Sequence, residues 1–125
     1  MAELIGVEMI RAENGEAAAA LEVEERHSNP MGTVHGGILC DLADAAMGMA
    51  YFSVLEAGES FTTLELKINF LRPFWTGRLV AEGRVVHRGR TMGLVECDVV
   101  DADGRLIARA TATNMTLRGD AAAGR

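Results

Sequence analysis

The sequence predicts an α+β fold in which a curled antiparallel β-sheet wraps around one long central helix. Two observations carry this. The stretch from Val34 to about Leu55 is apolar around nearly its whole circumference, and the chain on either side alternates with a period of two. A helix apolar on all sides must be buried, and one sheet covers it most economically by curling around it. The edge strands of such a sheet stay open, so pairing with a second copy is expected.

The elements follow in order. Asn14-Gly15 is a strong hairpin signal and joins strands over Gly6–Glu13 and Ala17–Glu24. The polar run Glu25-Arg26-His27-Ser28-Asn29-Pro30-Met31-Gly32-Thr33 reads as a loop. In the helix, Asp41 and Asp44 would each cost about 2.5–3.5 kcal/mol near a bilayer centre, so a core helix is expected rather than a membrane span. Leu64, Leu66, Ile68 and Phe70 alternate with Thr63, Glu65, Lys67 and Asn69, and Pro73 ends that strand. Three more strands follow over Arg78–His87, Thr91–Val100 and Arg105–Leu117. They are joined by Arg88-Gly89-Arg90 and by Asp101-Ala102-Asp103-Gly104. The Ala/Gly-rich tail Arg118–Arg125 is expected to fray. No internal repeat or linker divides the chain, so residues 1–125 read as one domain.

Composition narrows the function classes. The chain has 125 residues and a net charge of -6, with no Lys/Arg-rich run, which argues against a nucleic-acid footprint. A few local arginines can still hold an anionic ligand. Cys40 and Cys97 have neither zinc spacing nor a disulfide framework and read as reduced thiols. The acidic start without a basic n-region predicts no secretory signal and a cytoplasmic setting. No metal-ligand spacing occurs.

The residues that suggest chemistry run from Asn29 to Asp44. His35-Gly36-Gly37 sits where loop meets helix, and each glycine there costs on the order of 1 kcal/mol against alanine. Close approach to the backbone would explain them, because free N–H groups and the helix dipole favour a developing negative charge. For a thioester carbonyl this would be an oxyanion hole. A plain flexible junction would also explain the two glycines.

Asp44 is sharper. It lies in the third turn, where the dipole benefit has faded, among Ala43, Ala45, Ala46 and Met47, which offer no partner. A buried unpaired carboxylate is costly, so it must reach water, a donor or a cleft. Gly48, its i+4 neighbour, leaves space beside it, as a nucleophile or general base requires. A structural Asp bonded to backbone is the alternative, and for Asp41 a dipole or hydrogen-bonding role suffices. Arg88-Gly89-Arg90-Thr91 offers two guanidinium groups and a hydroxyl at one turn, a phosphate contact or an ordinary charged hairpin tip. Thr62 and Thr63 could place a hydroxyl near the cleft. Met47, Met49, Tyr51 and Phe52 could line an acyl pocket, though such a stripe usually forms core.

At Asn29-Pro30-Met31-Gly32-Thr33-Val34-His35-Gly36-Gly37, Leu42-Ala43-Asp44 and Thr63-Leu64-Glu65-Leu66-Lys67-Ile68-Asn69-Phe70-Leu71-Arg72-Pro73, the chain resembles the hotdog-fold thioesterase superfamily. Within it the chain is similar to the branch of the phenylacetate-pathway and Arthrobacter-type 4-hydroxybenzoyl-CoA thioesterases. The resemblance implies an acyl-CoA thioesterase needing no cofactor, with coenzyme A arriving as part of the substrate. It implies that Gly36 or Gly37 polarises the carbonyl, with His35 shaping that turn. Asp44 would reach across a dimer interface as nucleophile or general base. Asn29 would orient the carbonyl or the water, and Thr63 would assist from the following strand. Arg88, Arg90 and Thr91 would hold the nucleotide end of coenzyme A. A homodimer would be obligatory and a homotetramer common. Gly48 stands where the Arthrobacter-type enzyme has threonine, which counts against a hydroxybenzoyl-specific assignment. The expected acyl group is aryl or medium-chain. Two rival readings use the same fold: a hydratase or dehydratase pairing His27 with Asp41, and a non-catalytic acyl-CoA-binding module.

Overall fold

The computed structural model describes residues 2–123. A short helical turn, α1 (Ala2–Ile5), precedes β1 (Glu8–Glu13) and β2 (Glu16–Val23). The long helix α2 (Gly36–Phe52) follows, then β3 (Ser60–Phe70), β4 (Gly77–Arg88), β5 (Met92–Asp101) and β6 (Leu106–Leu117). The strands form one six-stranded antiparallel sheet in the order β1-β2-β4-β5-β6-β3. The two strands, one helix and four strands read from the sequence are all present. Among the described residues no helix is long and apolar enough to cross a membrane.

Local chemistry sets the boundaries. Asn14 (φ 53°) and Gly15 (φ 83°) both take positive φ, as a tight hairpin between β1 and β2 demands. The helix starts two residues later than expected because Val34 donates its N–H to the Phe74 carbonyl, 2.7 Å away. It ends at Phe52, three residues early. There the Ser53 Oγ donates to the Ala50 carbonyl and accepts the Gly15 N–H, so the helix end is tied to the first hairpin. The tail expected to fray instead forms a 3-10 turn over Gly119–Ala122, while residues 124 and 125 lie outside the described residues. Chain before Glu8, expected as strand from Gly6, is helical turn and loop.

The core lies between α2 and the sheet. Leu39, Leu42, Ala43, Ala46, Met47, Ala50 and Tyr51 are buried against mostly small and aliphatic residues of β2, β4, β5 and β6. Two glycines let the helix come close to the sheet. A Cβ at Gly83 would lie 2.8 Å from the Ala46 carbonyl oxygen, and a Cβ at Gly93 would collide with the Tyr51 ring. The opposite side of α2 is uncovered: Asp44, Met49 and Phe52 are exposed. The helix expected to be buried all round is therefore buried on one side only. Edge strand β3 also exposes Leu64 (52%) and Phe70 (54%).

Candidate active site

At the start of α2 the His35 side chain acts as the N-cap: its Nδ1 accepts the Gly37 N–H at 3.1 Å. The His35 N–H in turn donates to the His27 carbonyl at 2.8 Å. The first N–H groups of a helix lack intrahelical partners. With Gly37 already capped, the Gly36 N–H is the one of the two left without a partner among the described residues. Its Cα faces the Phe70 ring, and a Cβ there would stand 3.0 Å from Phe70 Cζ. Gly36 opens into a cavity of about 400 Å³ that also holds Thr33, Leu39 and residues Phe70 to Phe74.

Asn29 shapes the approach loop. Its Oδ1 accepts the Met31 N–H and its Nδ2 donates to Thr33 Oγ1, both at 2.9 Å. Its carboxamide is thus committed to the turn, and its cavity, shared with Trp75 and Thr76, is distinct from that of Gly36.

Asp44 projects from the uncovered side of α2 into a cavity of about 330 Å³ lined by Met9, Ala45, Gly48, Met49, Phe61 and Thr63. Partial burial pushes its carboxyl above the ordinary aspartate range, and the nearby Asp41 carboxylate pushes in the same direction. The side chain is still exposed in the single chain, so the shift reflects low-polarity walls rather than full enclosure. The space beside Gly48 is bounded by the Phe61 ring, whose Cζ would lie 3.4 Å from a Cβ at that position.

Thr63 reaches this cavity because β3 is irregular. The β3–β6 register steps from Thr63↔Asn114 to Glu65↔Thr113, leaving Leu64 as the extra residue of a bulge. Before the bulge Phe61 and Thr63 face the helix; after it Leu66 and Ile68 do. Unbroken alternation would have put Leu64 inward and Thr63 outward.

The Arg88-Gly89-Arg90-Thr91 turn divides. The Arg88 guanidinium donates to the Val54 carbonyl and to Glu59 Oε1 (3.2 Å), tying β4 to the segment that leaves α2. Glu59 also accepts from Arg118 at 2.7 Å, and Arg118 donates onward to the Arg90 carbonyl. A backbone hydrogen bond at Glu56 and these arginines hold the Glu59 carboxyl below its ordinary range. Arg90 and Thr91 have exposed side chains. Sequence reasoning missed the Glu59–Arg118 clamp and Phe61, which carry no local motif, and gave Phe70 only a place in the alternating strand.

His27 is 2% exposed, with both ring nitrogens engaged: Nδ1 accepts the Glu24 N–H (2.9 Å) and Nε2 faces the Ile5 carbonyl (2.7 Å). With Nδ1 accepting, Nε2 is the nitrogen that donates to the Ile5 carbonyl. His27 and Asp41 line one cavity, with His35 and Gly37, but the ring is committed to holding the N-terminal segment.

The structure therefore brings Asp44 and Thr63 together, and places Gly36 elsewhere. Gly36 and Asp44 are separated by about 12 Å along the helix axis at 1.5 Å per residue, and they open into different cavities.

The thioesterase superfamily profile matches residues 31–108, more than half of the chain. A protein of Saccharolobus solfataricus named as an esterase is 36% identical over 93% of this chain and 82% of its own. The 1,4-dihydroxy-2-naphthoyl-CoA hydrolase of Listeria monocytogenes is 30% identical over 84% of this chain and 85% of its own. The solved structure of the E. coli PaaI protein, from the phenylacetic acid degradation operon, superposes with a TM-score of 0.87. It is 28% identical, covering 94% of this chain and 84% of that one. By sequence and by fold, the chain belongs to the thioesterase superfamily and is a hotdog-fold thioester hydrolase.

Proposed function

We propose that the protein hydrolyses an acyl- or aryl-coenzyme A thioester to the free acid and coenzyme A, with Asp44 as the catalytic carboxylate. The observation that carries this is the Asp44 carboxyl, raised above its ordinary range and set beside Thr63 at an apolar cavity. A carboxylate of raised pKa is a stronger base. As general base it takes a proton from water, and the water oxygen attacks the thioester carbonyl carbon. The oxyanion that forms is held by the Gly36 N–H, the C–S bond breaks, and the thiolate leaves with the proton. As nucleophile, Asp44 would attack directly and water would release the acid from the resulting anhydride.

The separation of Gly36 from Asp44 supports a two-copy site, in which one subunit supplies the helix start and its partner supplies Asp44. The uncovered side of α2 and the apolar residues on edge strand β3 support a homodimer, which a homotetramer would extend. Arg90 and Thr91 are the groups open to the phosphates of coenzyme A, with Arg88 bracing their turn. His35 shapes the Gly36 donor through its cap on Gly37, and Asn29 holds the loop over it. Met9, Met49 and Phe61 suit an aryl or medium-chain acyl group. No cofactor takes part beyond the coenzyme A of the substrate. The free thiols of Cys40 and Cys97 suit a reducing compartment, which supports a cytoplasmic setting.

The test is free-thiol release from a panel of acyl-CoA thioesters, with Asp44→Asn beside wild type. A fall in kcat of roughly 10²–10⁴-fold is expected in the variant. Near-normal turnover by Asp44→Asn would remove the proposed mechanism.

A further inference from the structure

Behind Thr63 the sheet carries a polar group that the reaction described above leaves unused. Asn114, on β6, is 1% exposed, and neither its Nδ2 nor its Oδ1 has a hydrogen-bond partner among the described residues. Leaving a buried polar group unbonded costs roughly 1–3 kcal/mol, a cost that an apolar residue in the same place would avoid.

The register shows what surrounds it. Asn114 lies opposite Thr63 on β3 and opposite Gly93 on β5. Gly93 has no side chain, and the Tyr51 ring occupies the space a Cβ would take. The Tyr51 hydroxyl is itself bonded to Thr116 Oγ1 at 2.6 Å. On that side the carboxamide meets an aromatic wall with its polar end already used. On the other side stands Thr63, exposed and lining the Asp44 cavity. Directly opposed residues of an antiparallel pair carry their Cβ atoms about 4.5–5.5 Å apart on the same face, within reach of two short polar side chains.

We infer that Asn114 is a positioning residue: it and Thr63 are not bonded to each other in the single chain, and a rotamer turn of Thr63 or of the carboxamide lets Asn114 hold the Thr63 hydroxyl and aim it into the Asp44 cavity. The inference rests on the reading of Asp44 as the catalytic carboxylate. With Asn114 Nδ2 donating to Thr63 Oγ1, the hydroxyl proton points into the cavity, where it fixes the water that Asp44 deprotonates. A hydroxyl that accepts one hydrogen bond is also a better donor in the next. Asn114 touches no substrate; it acts through Thr63, and the two side chains work as one unit.

Residues that act as a unit lose their effect once, so a double-mutant cycle tests the pair. Thr63→Val and Asn114→Ala should each lower kcat by about 10-fold with KM little changed, and the double variant should be no slower than Thr63→Val alone. Thr63→Ser, which keeps the hydroxyl, should restore the dependence on Asn114. Melting temperature is read in parallel. Asn114→Ala removes an unbonded amide and should melt no lower than wild type; should it fail to fold, Asn114→Ser enters the same cycle. Multiplying effects in the double variant, or an Asn114→Ala enzyme with wild-type kcat, would overturn the inference while leaving Asp44 untouched. Asp44→Asn, assayed beside them, separates the two failures: its retained turnover would remove the base, and with it the task given to the pair.

Discussion

Arg88 and Arg90 sit two residues apart on one turn, yet the structure gives them different work, and replacing each by alanine separates the two. The Arg88 side chain is 29% exposed and that of Glu59 only 11%, so their contact is largely out of water. Arg88→Ala removes a charged donor from the Val54 carbonyl and one of the two arginines on Glu59. A hydrogen bond to a charged group contributes about 1.5–3 kcal/mol, and a partly screened ion pair adds up to about 1 kcal/mol. The expected loss is about 1.5–4 kcal/mol, toward the lower end because Arg118 still holds Glu59. Urea denaturation should show a lower midpoint with an unchanged slope. Arg90→Ala should leave that midpoint within about 0.5 kcal/mol of wild type, as an exposed substitution does. It should instead raise KM for acyl-CoA, with kcat held, and flatten the dependence of KM on ionic strength. The opposite allocation would refute the reasoning: Arg88→Ala with wild-type stability and a raised KM would mean that the Glu59 clamp opens to let Arg88 meet phosphate.

Three further outcomes are expected elsewhere in the molecule. Because the Asp44 carboxyl is raised first by partial burial and then by Asp41, kcat/KM should fall with acidification at a pH above the ordinary aspartate range. Asp41→Asn should move that limb to lower pH in a pH–rate profile. The sign for stability is the reverse of the usual carboxylate case: ionised Asp44 opposes folding above its raised pKa, and the penalty is relieved as pH falls through it. At neutral pH Asp44→Asn should therefore be at least as stable as wild type by urea titration. Gly83→Ala would drive a methyl against the Ala46 carbonyl, which is backbone and cannot swing away. Overpacking of that kind costs about 1–3 kcal/mol. Thermal denaturation should show a lower Tm, and an unchanged Tm would mean that α2 lifts from the sheet freely.

Much of the fold was legible because its determinants are local. The Asn14-Gly15 turn, the apolar run of α2 and the alternation in the later strands each state their conformation within a few residues. What was not legible depends on contacts distant in sequence. The early end of α2 reflects Ser53 meeting Gly15, and its late start reflects Val34 pairing with Phe74. The half-uncovered helix has the same origin: circumferential apolarity does not say which sides of α2 the chain's own sheet covers. The strand order, with β3 beyond β6 at the edge, is likewise a property of the closed sheet.

The site shows the same division more sharply. Asp44 stood out because a carboxylate among alanines in a third helical turn has no local reason to be there, and it does face a cavity. Thr63 could not be placed with the same security, since alternation over Leu64, Leu66, Ile68 and Phe70 puts it on the wrong face. One extra residue at Leu64 reverses that parity, and the shift is visible only in the register against β6. A one-residue slip in a strand exchanges its two faces; here the slip is confined to a bulge, so Leu66 and Ile68 stay in the core while Thr63 turns toward Asp44. The exposed Leu64 is the consequence on the other face. Removing Leu64 alone would make Thr63 and Glu65 consecutive and keep Thr63 inward, whereas unbroken alternation through Leu64 would carry Thr63 away from the cavity, so with this sequence length the bulge belongs to the site as much as the residues that line it.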